Sequence, residues 1–65
     1  MRVGSLCKVV NNAYHIWDAG HVLEDGTLVI VLTHTGATPL YVIVFNIADG
    51  RRYHLSKSEL EVLCE

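Results

Sequence analysis

The residues of this chain whose types could do chemistry are four histidines (His15, His21, His34, His54), two cysteines (Cys7, Cys64) and the basic, aromatic stretch Arg51-Arg52-Tyr53-His54. Imidazole and thiolate together suit zinc. Structural zinc sites, however, usually draw two ligands from one turn, as in Cys-x-x-Cys, because such a pair fixes half of the tetrahedron. No pair of that kind occurs here, and the nearest histidine spacing is His15 to His21. Hydrogen-bonded or solvated histidines are the expectation, with no metal and no cofactor. Nucleophilic catalysis needs a Ser or Cys beside a base that a third group holds in place. Ser5 and Cys7 stand near Asp18 and His21 in sequence, yet nothing in their spacing fixes a geometry. The glycines are scattered one per turn, so no phosphate-cradling loop is present. Glu24-Asp25 and Glu59/Glu61 read as solvated carboxylates. The chain is therefore expected not to be an enzyme and to have no small-molecule substrate.

Two binding readings survive. Arg51, Arg52 and Tyr53 combine guanidinium groups with a ring on which a base could stack, and Lys8 and Lys57 join them if the strand order allows. Against nucleic acid stands the charge balance: 5 basic and 7 acidic side chains give a net charge of −2, a poor source of phosphate neutralisation. The second reading is protein recognition by exposed aromatics, with Tyr14, Trp17 and Tyr41 as candidates. Trp17 has a competing role, plugging one end of a small barrel, in which case its indole N–H needs a buried acceptor.

Size and composition bound the rest. With 65 residues, 51% apolar and 18% charged, the chain is too apolar for a disordered tail and too poor in cysteine for a disulfide scaffold. A domain this small buries only about 60% of the surface its unfolded chain exposes. A catalytic cavity would compete with the core for the same side chains. The opening residues lack the apolar run of an export signal, and the longest apolar runs, 28–32 and 40–45, cannot span a bilayer. An intracellular location and no membrane association are expected.

Turn residues divide the chain. Asn11-Asn12, Ala19-Gly20, Asp25-Gly26, Thr35-Gly36-Ala37-Thr38-Pro39, Asp49-Gly50 and Ser56-Lys57-Ser58 favour reversals. Between them lie β-branched or aromatic runs at 6–10, 21–23, 27–33, 40–47, 51–55 and 60–63. Strands at this spacing without a long helical period predict one all-β domain over 1–65, a small barrel, because closure disposes of exposed edges. Asp25-Gly26 either closes a tight hairpin or bulges one long strand over 20–33. Ser56-Lys57-Ser58-Glu59 matches a capping box, so 57–64 is either a helix or, as preferred here, one helical turn followed by a closing strand. Cys7 and Cys64 fall in the first and last strands. They are read as two small buried hydrophobes, with a disulfide as the alternative.

The two central runs are apolar on both faces. Leu28, Ile30 and Leu32 alternate with Val29 and Val31, while Val42 and Val44 alternate with Tyr41, Ile43, Phe45 and Ile47. A sheet wetted on one side should alternate apolar with polar. Either residues 11–20 fold over the outer face with Tyr14, Ile16 and Trp17, or that face meets a second subunit or a partner. Self-association through Val29, Val31, Val42 and Val44 is the expectation.

The order of these signals resembles a known group. Val3-Gly4-Ser5-Leu6-Cys7-Lys8-Val9-Val10, then Gly20-His21-Val22-Leu23, the paired runs ending in Asp49-Gly50, and the tail Tyr53-His54-Leu55-Ser56-Lys57-Ser58-Glu59-Leu60-Glu61-Val62-Leu63 are similar to the small SH3-like barrel proteins encoded by tailed phages, including cyanophages. Ser5 stands where that group usually has Asp, and Phe45-Asn46 where Val-x-Trp is common. The resemblance implies a five-stranded SH3-like barrel with a short helical turn before the last strand. It also implies a phage origin, in the host cytoplasm or the virion; SH3-like barrels more broadly serve as peptide-binding, RNA-binding and assembly modules, and a role in assembly or protein binding is the expectation.

Overall fold

The computed structural model describes residues 1–11, 13–15, 18–35 and 40–65; for residues 14, 15 and 18–21 it describes the backbone alone. The described residues form β1 (Leu6–Val9), β2 (Tyr14–His15), β3 (Asp18–Val22), β4 (Leu28–Thr35), β5 (Tyr41–Asn46), β6 (Arg52–Ser56), a 3-10 turn at Lys57–Glu59 and β7 (Leu60–Cys64). The fold is all-β. Five strands make one antiparallel sheet in the order β6-β5-β4-β1-β7, and β2 and β3 pair as a separate two-stranded ribbon. The five-strand expectation thus fits the main sheet, with the ribbon as an addition to it. No ladder joins the outer strands β6 and β7, so hydrogen bonds do not close the sheet into the expected barrel.

Register decides which face is inside. Val31 pairs with Val44, and Val44 with Tyr53; on the next inward row Cys7 lies opposite Val29. Cross-strand partners share a face. Val29, Val31, Val42, Val44, Cys7, Val9 and Leu55 are fully buried, and Ala13, Leu23 and Leu60 complete the core with Tyr53. The four valines expected at a subunit interface are therefore interior, which corrects that assignment. Volume supplies the reason: the concave side of a small coiled sheet offers less room per residue than the convex side. On β4 and β5 the valine rows fit inside, and the rows carrying Leu28, Ile30, Tyr41, Ile43 and Phe45 are turned out.

Glycines set two of the turns. In Arg2-Val3-Gly4-Ser5, Gly4 at φ 89° allows the Ser5 N–H to reach the Arg2 carbonyl at 3.0 Å, and the buried Ser5 hydroxyl accepts from the Arg2 N–H at 2.8 Å. At Glu24-Asp25-Gly26-Thr27, Gly26 at φ 90° closes a similar turn, with the Thr27 hydroxyl donating to the Glu24 carbonyl at 2.7 Å. This turn is neither of the two arrangements expected of Asp25-Gly26. Because β3 pairs with β2 while β4 pairs with β1, it passes the chain from the ribbon to the main sheet. The ribbon's base is anchored where the Leu23 N–H donates to the Ala13 carbonyl at 2.8 Å; both residues are buried.

The C-terminal segment follows the preferred reading of one helical turn and then a strand. Its capping box does not form: Ser56 makes no side-chain bond to the turn's backbone, and its hydroxyl lies 2.9 Å from that of Ser58. The β1–β7 ladder carries a bulge, with Leu6 opposite Cys64 but Cys7 opposite Val62. Cys64 therefore shares the face of Leu6 and is exposed, whereas Cys7 is buried, and the two are unbridged. Cys7 is the small buried hydrophobe expected; for Cys64 the bulge overturns that expectation.

Candidate interaction surface

On the outward face, partners in register form a row across all five strands: Cys64 (β7), Leu6 (β1), Ile30 (β4), Phe45 (β5) and Arg52 (β6). Leu6, Ile30 and Phe45 are half-buried, and the ends of the row, Cys64 and Arg52, are exposed. One step along the strands, Glu61, Lys8 and Leu28 lie side by side; Leu28 is 45% exposed, and Lys8 Nζ pairs with Glu61 Oε2 at 2.9 Å. On the other side, Ile43 lies between Thr33 and His54, followed by Tyr41 between Thr35 and Ser56. Leu32, the extra residue of the β4 bulge, is exposed as well. The result is an apolar stripe over β1, β4 and β5 with ionised side chains at its flanks.

The candidate residues are distributed as follows. Tyr41 is on this outer face, 38% exposed, its ring edge-on to His54 with centroids 5.7 Å apart. His54 in turn meets the Thr35 hydroxyl at 2.6 Å. Arg51 and Arg52 are exposed. Tyr53 is in the core, 3% exposed, and its hydroxyl donates to the Asp49 carboxylate. That bond, helped by burial, raises the Tyr53 pKa above the ordinary tyrosine value. A stacking role for Tyr53 is thereby corrected: strand alternation places Arg52 and Tyr53 on opposite faces. Asp49 also accepts from the Arg51 N–H at 2.8 Å, so this carboxylate organises the β5–β6 turn, where Gly50 takes φ 72°. Trp17 and the side chain of Tyr14 lie outside the described residues.

The cations do not gather into the patch expected of them. Arg52 and Lys57 stand at opposite ends of β6, and Lys8 is three strands away on β1, already paired with Glu61. Of the candidate metal ligands, His34 and Cys64 are exposed, Cys7 is buried and His54 is half-buried; the side chains of His15 and His21 are outside the description. Among the described residues no three His, Cys, Asp or Glu side chains are gathered as a metal site, and no cavity is found. Burial raises the Cys7 thiol pKa, leaving it protonated and unreactive. No helix among the described residues is long and apolar enough to cross a membrane.

Hydrophobicity alone does not distinguish two apolar faces, which is why the outer stripe escapes a reading of the sequence. The available signal is side-chain size, with the bulkier set on one face of each central strand. Comparison of the chain with family models, curated proteins and solved structures gives no match.

Proposed function

We propose that the chain is a partly open SH3-like barrel of the kind tailed phages encode, in the host cytoplasm or the virion. It acts without catalysis as a small assembly module and associates with itself through the outer stripe. The sheet order and the short β6–β7 link support the barrel. In a flat five-stranded sheet, β6 and β7 would lie about 19 Å apart, whereas a 3-10 turn of three residues advances about 6 to 8 Å. Only a strongly coiled sheet brings its edges that close.

The observation that carries the functional reading is the stripe of Leu6, Ile30, Phe45, Leu28, Ile43 and Tyr41 on the face opposite the valine core. Contiguous apolar surface of this extent on so small a domain marks an interaction site. The three strands that carry the stripe, β1, β4 and β5, span about 10 Å across the sheet, so the face offered to a partner is small. A contact of that size falls below standard stable interfaces, so the association is of the weak, transient kind. Sedimentation over a wide concentration range in moderate salt tests the reading. A concentration-dependent dimer, weakened by Phe45→Ser, is expected; a monomer throughout overturns it. The alternative, nucleic-acid binding through Arg51 and Arg52, loses its stacking ring to the core and keeps no observation that favours it.

A further inference from the structure

We infer that the Asp49–Gly50 peptide is a site of isoaspartate formation that the fold holds in check through the Tyr53 hydroxyl. Aspartate followed by glycine is prone to this reaction because glycine has no side chain to hinder its nitrogen, and the chain carries the pair twice, at Asp25-Gly26 and Asp49-Gly50. The glycine nitrogen attacks the aspartate Cγ. An N–Cγ bond forms, the Cγ–OH bond breaks, and the hydroxyl leaves with the amide proton as water. Solvent water then opens the cyclic imide. Addition at the former side-chain carbonyl restores aspartate; addition at the main-chain carbonyl leaves the chain running through Cγ, as isoaspartate.

Ring closure makes two demands, and the β5–β6 turn opposes both. The carboxyl has to carry a proton, so that water can leave, and has to swing toward the nitrogen. Here both oxygens of Asp49 are engaged as acceptors, Oδ1 from the Arg51 N–H at 2.8 Å and Oδ2 from the Tyr53 hydroxyl, an arrangement that suits the ionised carboxylate, which only accepts. Tyr53 is in the core, 3% exposed, so its hydroxyl is a donor fixed in place. The nitrogen, for its part, has to leave its hydrogen bond, and the Gly50 N–H donates to the Asn46 carbonyl at 2.9 Å. An amide guard of that kind is present at the other pair too, where the Gly26 N–H donates to the Val9 carbonyl at 2.8 Å. The tyrosine guard belongs to Asp49, because a phenol has one proton to give and Tyr53 gives it there. Isoaspartate in place of Asp49 would add a backbone atom inside the turn that the Asn46 N–H and the Arg51 carbonyl close at 2.8 Å, and so displace Arg52 and Tyr53 along β5.

Ageing the intact chain at mildly acidic pH in heavy-oxygen water tests this. Each imide opened by solvent leaves one heavy oxygen at the residue that cyclised, and peptide mapping reads the label and the isoaspartate at Asp25 and at Asp49 separately. The folded wild-type chain should react slowly at both, and the urea-unfolded chain faster at both and at similar rates. Tyr53→Phe should raise the ratio of reaction at Asp49 to reaction at Asp25 about fivefold, the factor that one ordinary hydrogen bond represents. Val42→Ala weakens the core at the end of β5 remote from both turns; it should raise the two sites together and leave their ratio at the wild-type value, which separates a local guard from general loosening. Circular dichroism confirms that each variant is folded. An unchanged ratio in Tyr53→Phe overturns the inference. So does a ratio raised equally by Val42→Ala, or a folded wild-type chain that reacts at Asp49 as fast as the unfolded one.

Discussion

Val44 and Phe45 are neighbours on β5, and the assignment of the interior face requires their substitutions to behave differently. Val44 is fully buried among the valine rows, while Phe45 is half-buried on the outward row. Val44→Ala removes two methyl groups, about 0.8 kcal/mol each by transfer, and the incompletely collapsed cavity brings the loss to about 2 to 3 kcal/mol. A 65-residue domain has about 3 to 10 kcal/mol in total, so this one change removes a large share of its stability. Phe45→Ala, with part of its ring already wet, should cost the isolated chain about 1 to 2 kcal/mol and in addition weaken association. Urea unfolding followed by circular dichroism in dilute and concentrated protein separates the two. The Val44→Ala deficit should be the same at both concentrations, and the Phe45→Ala deficit should grow with concentration, because only a dimer contact is linked to mass action. A Val44→Ala deficit that appears only in concentrated protein would refute the assignment and return the valines to the interface.

Three further outcomes follow from the geometry. Tyr53→Phe should destabilise by about 1 kcal/mol through the lost bond to Asp49. It should also change the alkaline limb: with its pKa raised in the fold, neutral Tyr53 contributes stability that is complete below the ordinary tyrosine pKa and lost as pH rises through the folded value. The variant should lack that loss in unfolding midpoints measured at increasing alkaline pH. Gly50→Ala should cost about 1 kcal/mol because φ 72° disfavours a Cβ; no atom crowds the position, so Gly50→Asn should recover part of the loss in the same unfolding assay. In thiol labelling of the native chain, Cys64 should react at once, whereas Cys7, buried and held protonated, should react at a rate set by unfolding; equal rates would contradict the bulged β1–β7 register.

Local chemistry and topology are not equally legible in the sequence. The runs at 6–10, 27–33, 40–47, 51–55 and 60–63 correspond to β1, β4, β5, β6 and β7 because β-branched residues between Gly, Asn and Ser turns leave little else for the chain to do. The helical turn before the last strand is readable from Ser56-Lys57-Ser58, although the capping bonds that suggest it do not form. Pairing is harder. Nothing local tells Asp25-Gly26 that β3 pairs backward with β2 and β4 with β1; that choice is made by long-range burial of Ala13 and Leu23. The bulge at Leu63, which turns Cys64 outward, is likewise set by the partner strand and not by the residues flanking it. Of the candidate contact residues, Tyr41, Arg51 and Arg52 lie at the surface and Tyr53 does not, since an Arg-Arg-Tyr-His run reads the same from either face.

The inversion of the two faces has a consequence for how a chain this short carries a function. On the concave side of the sheet Val29, Val31, Val42 and Val44 pack against Cys7, Val9, Tyr53 and Leu55, so adding bulk at the valines would overpack it. On β4 and β5 the larger apolar side chains lie on the convex side, partly in contact with water. Leu6, Ile30, Ile43 and Phe45 occupy that side in register rather than scattered singly, and a continuous row of this kind is costly to leave solvated unless something covers it. Under the proposed self-association, a second copy covers that row.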